Sequence, residues 1–149
     1  MIKKLFLVLS LLLVTTPVFA KDSVEDEGEK LLNKFMKALQ IQNEDEAEKA
    51  ILPYVYPSEI SGKNLIPTVR QYSFKKAHKS AKGYKYPVVI TRVRETRQTQ
   101  VGFKETGGLG KVYDFFIDRK EDAGGRPAPV KIFFPKNGGD AKILYMGSL

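Results

Sequence analysis

The chain has 149 residues, with 25 Lys and Arg against 17 Asp and Glu, a formal charge of +8, and neither cysteine nor tryptophan. Without cysteine there is no disulfide, no thiolate metal site, no cysteine nucleophile and no acylated cysteine to act as an anchor. A single histidine, His78, likewise excludes a His-rich metal centre.

The first twenty residues read as a secretory signal peptide. Lys3 and Lys4 form a positive start, and residues 5–14 are apolar except for Ser10. Pro17 then precedes Val18-Phe19-Ala20, with small residues where a signal peptidase reads. The apolar run is shorter than the ~20 residues that span a bilayer. Cleavage after Ala20 leaves residues 21–149, expected to form a single α+β domain with its own core. An uncleaved anchor is the alternative. No second apolar segment follows, so no transmembrane segment is expected after cleavage. The Lys-rich, cysteine-free composition suits a bacterial periplasm or secretion.

Helix signals come next. Leu31, Leu32, Phe35, Met36 and Leu39 make one apolar stripe, which predicts a helix over residues 25–41. Acidic residues crowd its first turn, where they suit the helix dipole. Asn43 with Glu46 three residues later predicts a capped second helix. Ala47, Ala50 and Ile51 form its apolar face, and Pro53 ends it. Residues 54–57 are expected to be an extended connector under the sheet edge. A third helix is predicted over residues 64–81, capped by Asn64, with Pro67 in its first turn. Its ragged stripe is Leu65, Val69, Tyr72 and Ala77, and it stops near Gly83.

From Tyr86 the period changes to two. Val89, Thr91, Val93, Val101 and Phe103 are expected on one face. Ile90, Arg92, Arg94, Thr96, Gln98, Gln100 and Lys104 are expected on the other, with a bulge at Gly102. Residues 107–110 are glycine-rich and read as a turn; they lack the Lys-Ser/Thr ending of a phosphate-binding loop. Residues 111–119 predict a strand with Tyr113, Phe115 and Ile117 inward and Asp114, Phe116 and Asp118 outward. After a Gly- and Pro-rich loop, strands over residues 130–134 and 142–146 flank the turn Asn137-Gly138-Gly139-Asp140. Helices followed by an antiparallel meander give an α+β fold, with the helices on one face of a curved sheet.

In this order of elements the chain resembles the nuclear transport factor 2-like superfamily, a cone-shaped, cystatin-like α+β fold. The resemblance covers roughly residues 25–149. It is carried by Leu31-Leu32 and Phe35, by Asn43-Glu44-Asp45-Glu46-Ala47, and by the closing hairpin of residues 130–134 and 142–146. Other helix-on-sheet domains give a similar string. The resemblance implies a cone whose pocket holds a small apolar ligand or, in its isomerases, dehydratases and cyclases, a catalytic Asp, Glu or His with a Tyr. It also takes in exported domains without catalysis. No catalytic motif of the superfamily matches residue by residue.

Two side chains are candidates for catalysis. Asp114, a carboxylate on an apolar strand, could act as a base with a raised pKa. Cross-strand pairing of Asp114 and Asp118 with Arg92 and Arg94 accounts for all four residues without catalysis. His78 stands among Lys75, Lys76 and Lys79, as a surface histidine would; Tyr72, Tyr84 and Tyr86 are near in sequence. No metal site and no cofactor are expected.

Charge is the stronger signal. Residues 21–60 carry 10 acidic and 5 basic side chains, and residues 61–149 carry 7 and 18. The set Lys75, Lys76, Lys79, Lys82, Lys85, Arg92, Arg94, Arg97 and Lys104 is the candidate anion-binding surface, centred on Arg92, Arg94, Arg97 and Lys104. Arg92 and Arg94 on one strand face would stand about 7 Å apart, matched to neighbouring phosphate, sulfate or carboxylate groups. A solvated basic face is the plainer reading. The expected partner is an anionic envelope component or a small apolar ligand, with nucleic acid set aside by export. The expected role is binding rather than catalysis. An isomerase- or dehydratase-type pocket enzyme and a subunit of an envelope assembly, such as a homodimer, are the alternatives.

Overall fold

The computed structural model describes residues 23–96 and 109–149. The expected signal peptide, Arg97, Lys104, Gly102 and the strand positions between them lie outside the described residues.

Helix α1 spans Val24–Leu39, and the Ser23 hydroxyl caps it by accepting from Asp26 N–H at 3.1 Å. Helix α2 spans Glu44–Ile51 under the predicted cap, with Asn43 Oδ1 accepting from Glu46 N–H at 3.0 Å. A tight turn at Leu52–Tyr54 carries Pro53 and ends it. Of the connector expected over residues 54–57, only Val55 and Tyr56 are extended, since Tyr54 ends one tight turn and Pro57 opens another; Val55 bridges Ile143 in parallel, and Tyr56 N–H donates to Ile143 O at 2.8 Å.

The third helix differs from expectation at its start. Asn64 belongs to a small hairpin, β1 (Ile60–Ser61) with β2 (Asn64–Leu65), turning at Gly62 with φ of 62°. Glu48 anchors this hairpin. The residue is 4% exposed, and its carboxylate accepts from Leu65 N–H at 3.0 Å and from Arg70 Nε, tying both to α2. Helical structure begins at Pro67, runs through a π-helical stretch, Val69–Phe74, and continues as α3, Lys75–Ser80, to a last turn at Ala81–Gly83. The wide π stretch shifts the apolar phase. Phe74 and Ala77 take core positions, and Tyr72, expected on the stripe, is 76% exposed.

The sheet has β3 (Ile90–Glu95), β4 (Gly110–Ile117), β5 (Ala128–Pro135) and β6 (Lys142–Tyr145) in the order β3-β4-β5-β6, all antiparallel. Helices precede an antiparallel sheet, so the class is α+β. Phe115, Ile117, Val130, Ile132 and Ile143 join Leu31, Leu32, Phe35, Met36 and Leu39 of α1 in one buried core. At Gly28 the helix rests directly on the sheet: a Cβ there would lie 2.2 Å from the Phe115 ring.

The expected alternation along β3 breaks at Thr91. The register shifts between Ile90 and Arg92, so Ile90 and Val93 both pack against the core. Val89, expected inward, is 43% exposed, and Thr91 turns out to donate its hydroxyl to Phe116 O at 3.1 Å. A bulge puts two residues opposite one, which is why a strict period of two fails there.

Candidate functional site

The sheet face away from α1 collects the charged residues. Strand pairing sets Arg94 opposite Asp114, Asp114 opposite Lys131, and Arg92 opposite Phe116. Asp114 is an outward residue, as its parity predicts, yet it is only 2% exposed. It accepts from Arg94 Nη2 at 2.6 Å and from Lys131 Nζ at 2.8 Å. Burial alone would push its carboxyl up; the bonds and charges of Lys131 and Arg94 outweigh that and hold it below the ordinary Asp value. A carboxylate kept ionised and saturated by two cations is a poor general base. Asp114 is accordingly a structural anion at the centre of a cationic group.

Phe116 is the second organising element. Its ring lies 4.0 Å from the Arg92 guanidinium carbon and 5.6 Å from that of Arg94, so two guanidinium groups converge on one aromatic face. Arg92 has no acidic partner among the described residues, and the Arg94 side chain remains 60% exposed. Among the described residues, three cations therefore gather around one carboxylate on this face. Beside them Tyr56, Val112 and Phe133 form a small apolar cluster, with the Tyr56 and Phe133 rings edge to face at 5.1 Å. All three are buried, so the charged group borders a packed apolar cluster.

The expected pairing of Asp118 with an arginine does not form. Asp118 accepts instead from Lys85 Nζ at 2.6 Å, which holds the Asp118 carboxyl below and the Lys85 ammonium above their ordinary values. Arg92 lies opposite Phe116 and Arg94 opposite Asp114, which leaves Asp118, one residue past the end of β4, to Lys85. His78 is a structural side chain too. Its Nε2 lies 2.7 Å from Ile41 O, and its ring stacks on Phe74 at 5.6 Å. The lysines of the predicted basic set divide from the arginines: Lys75, Lys76 and Lys79 belong to α3, whose Ala77 packs into the core on the helical side. Lys76 is further occupied by Gly147 O at 2.8 Å.

Lys131 is the part that sequence reasoning missed, and so is the role of Phe116, whose outward position it did give. Lys131 is legible in principle, because it alternates with the inward Val130 and Ile132; that it lies across from Asp114 is set by the strand pairing. Among the described residues, no group of three acidic or imidazole side chains could hold a metal, and no helix is long and apolar enough to cross a membrane. No family model matches the chain, and neither do any curated protein or solved structure.

Proposed function

We propose that this is an exported binding domain whose outer sheet face engages an anionic partner of the cell envelope. One observation carries the reading: Arg92 and Arg94 converge on Phe116 beside Lys131, with Asp114 as the only carboxylate paired to them among the described residues. Guanidinium groups held against a ring have already lost part of their rotamer freedom, so an incoming anion meets a prepared surface. Their planar donor forks suit carboxylate, sulfate and phosphate oxygens. Export rests on the pattern of residues 1–20. An exported protein meets envelope polyanions rather than nucleic acid.

Close packing at one point of the interior, where α1 at Gly28 lies against the Phe115 ring, is in keeping with binding on the surface. The test is binding of heparin, poly-glutamate and phosphatidylglycerol vesicles across a salt series. Affinity for at least one of them should fall steeply with salt. The Arg92→Ala/Arg94→Ala protein should lose at least tenfold, and Lys75→Ala/Lys79→Ala should stay within twofold of the parent. If the double arginine variant binds like the parent, this face is not the site.

A further inference from the structure

Among the described residues, β3 lies at one end of the sheet with no strand on its outer side. Its pairing decides which backbone groups it leaves open. Thr96 N–H donates to Val112 O at 2.9 Å, and Arg94 and Arg92 follow in the same phase opposite Asp114 and Phe116. In an antiparallel pair the intervening residues point the other way, so Val93 and Glu95 direct N–H and C=O to the free edge. A groove of about 420 Å³ lies between residues 88–93 and the start of α1, and it reaches this edge at Val93. Glu25, Asp26 and Glu29 line its helical side and Arg92 its other end. None of the three carboxylates has an ion-pair partner among the described residues. The edge therefore carries negative charge on the helical side and positive charge on the outer side.

We propose that the free edge of β3 takes up an extended segment of another protein as an added strand, with basic side chains facing α1 alternating with acidic side chains facing Arg92. Successive side chains of a strand point to opposite faces, so a period-two charge pattern is what this edge complements. A second copy of the chain is the poorer occupant. Antiparallel pairing of β3 with itself about a two-fold normal to the sheet lines arginine against arginine and puts acidic turns on the same side. The same charges that repel a copy admit a strand of complementary sign. The proposal goes beyond anion binding, since it requires the backbone of Val93 and Glu95, and it shares only Arg92 and Arg94 with that reading.

The experiment uses the whole mature protein and three capped nine-residue peptides. One alternates Lys and Glu. One has the same composition in two blocks of like charge. The third is the alternating peptide N-methylated at two adjacent central residues, which keeps every charge but removes a donor from each edge. Fluorescence anisotropy should show the alternating peptide binding at least tenfold tighter than either other peptide. Amide exchange at Val93 and Glu95 should slow at least tenfold on binding. Equal binding of the methylated peptide, or unchanged exchange at Val93 and Glu95, would overturn strand addition while leaving heparin binding by Arg92 and Arg94 untouched. A protein dimer that buries the Val93 and Glu95 amides and excludes the peptide would overturn it in favour of a second copy.

Discussion

Replacing Asp114 by Asn should weaken the fold and strengthen polyanion binding at once. In the parent the buried carboxylate accepts from Arg94 at 2.6 Å and from Lys131 at 2.8 Å. A hydrogen bond to a charged group contributes roughly 1.5–3 kcal/mol, and both donors are more than a third exposed, so solvent screens part of it. The amide keeps one acceptor and turns an N–H toward a cation. The expected loss is about 2 kcal/mol at pH 7, read by urea unfolding. The carboxyl's folded pKa is the lowered one, so its stabilisation is complete above the unfolded Asp value of about 3.9 and vanishes as pH falls through the folded value. The difference between parent and variant should therefore shrink below about pH 4. On the binding side the variant adds one net positive charge. At about 7 Å in water that is worth about 0.6 kcal/mol, or roughly threefold in affinity for heparin at low salt. A variant within 0.5 kcal/mol of the parent at pH 7, on the scale of an ordinary surface change, or one that binds heparin more weakly, would refute the reasoning.

Three further outcomes follow from the packing. Gly28→Ala should destabilise by about 1–3 kcal/mol in thermal unfolding, because its methyl meets the Phe115 ring; stabilisation, as helix propensity alone predicts, would reveal slack under α1. Glu48→Ala should cost about 3 kcal/mol, since it strands the buried Leu65 N–H and leaves Arg70 only its exposed partners Glu44 and Asp45, and exchange at the Leu65 amide should speed up. His78→Ala should cost about 1–2 kcal/mol through the lost Ile41 bond and Phe74 stacking while heparin affinity stays unchanged; a fall in heparin binding would place His78 in the site.

Much of the architecture is written in local chemistry. Asn43 and Glu46 mark the start of α2, the α1 stripe names its buried residues, and the alternation along residues 111–117 separates Phe115 from Asp114. These signals are readable because each depends on neighbours close in sequence. The remainder depends on contacts that are distant in sequence. Nothing in Val89-Ile90-Thr91-Arg92 announces a bulge, since no glycine or proline marks it, yet the bulge sets Arg92 opposite Phe116 where the Ile90 register would set it opposite Phe115. Glu48 sits in an acidic run that reads as solvated, yet Leu65 and Arg70 draw it inside. The depth of Asp114 follows from Lys131, seventeen residues away on the next strand. The superfamily resemblance uses the same local patterns and inherits the same blindness to these contacts.

The most direct test of the outer-face reading is a titration of ¹⁵N-labelled mature protein with a heparin hexasaccharide. The account predicts shifts clustered on Arg92, Arg94, Phe116 and Lys131, fading as salt rises. Shifts centred on the lysines of α3, or on the core around Phe115, would contradict it.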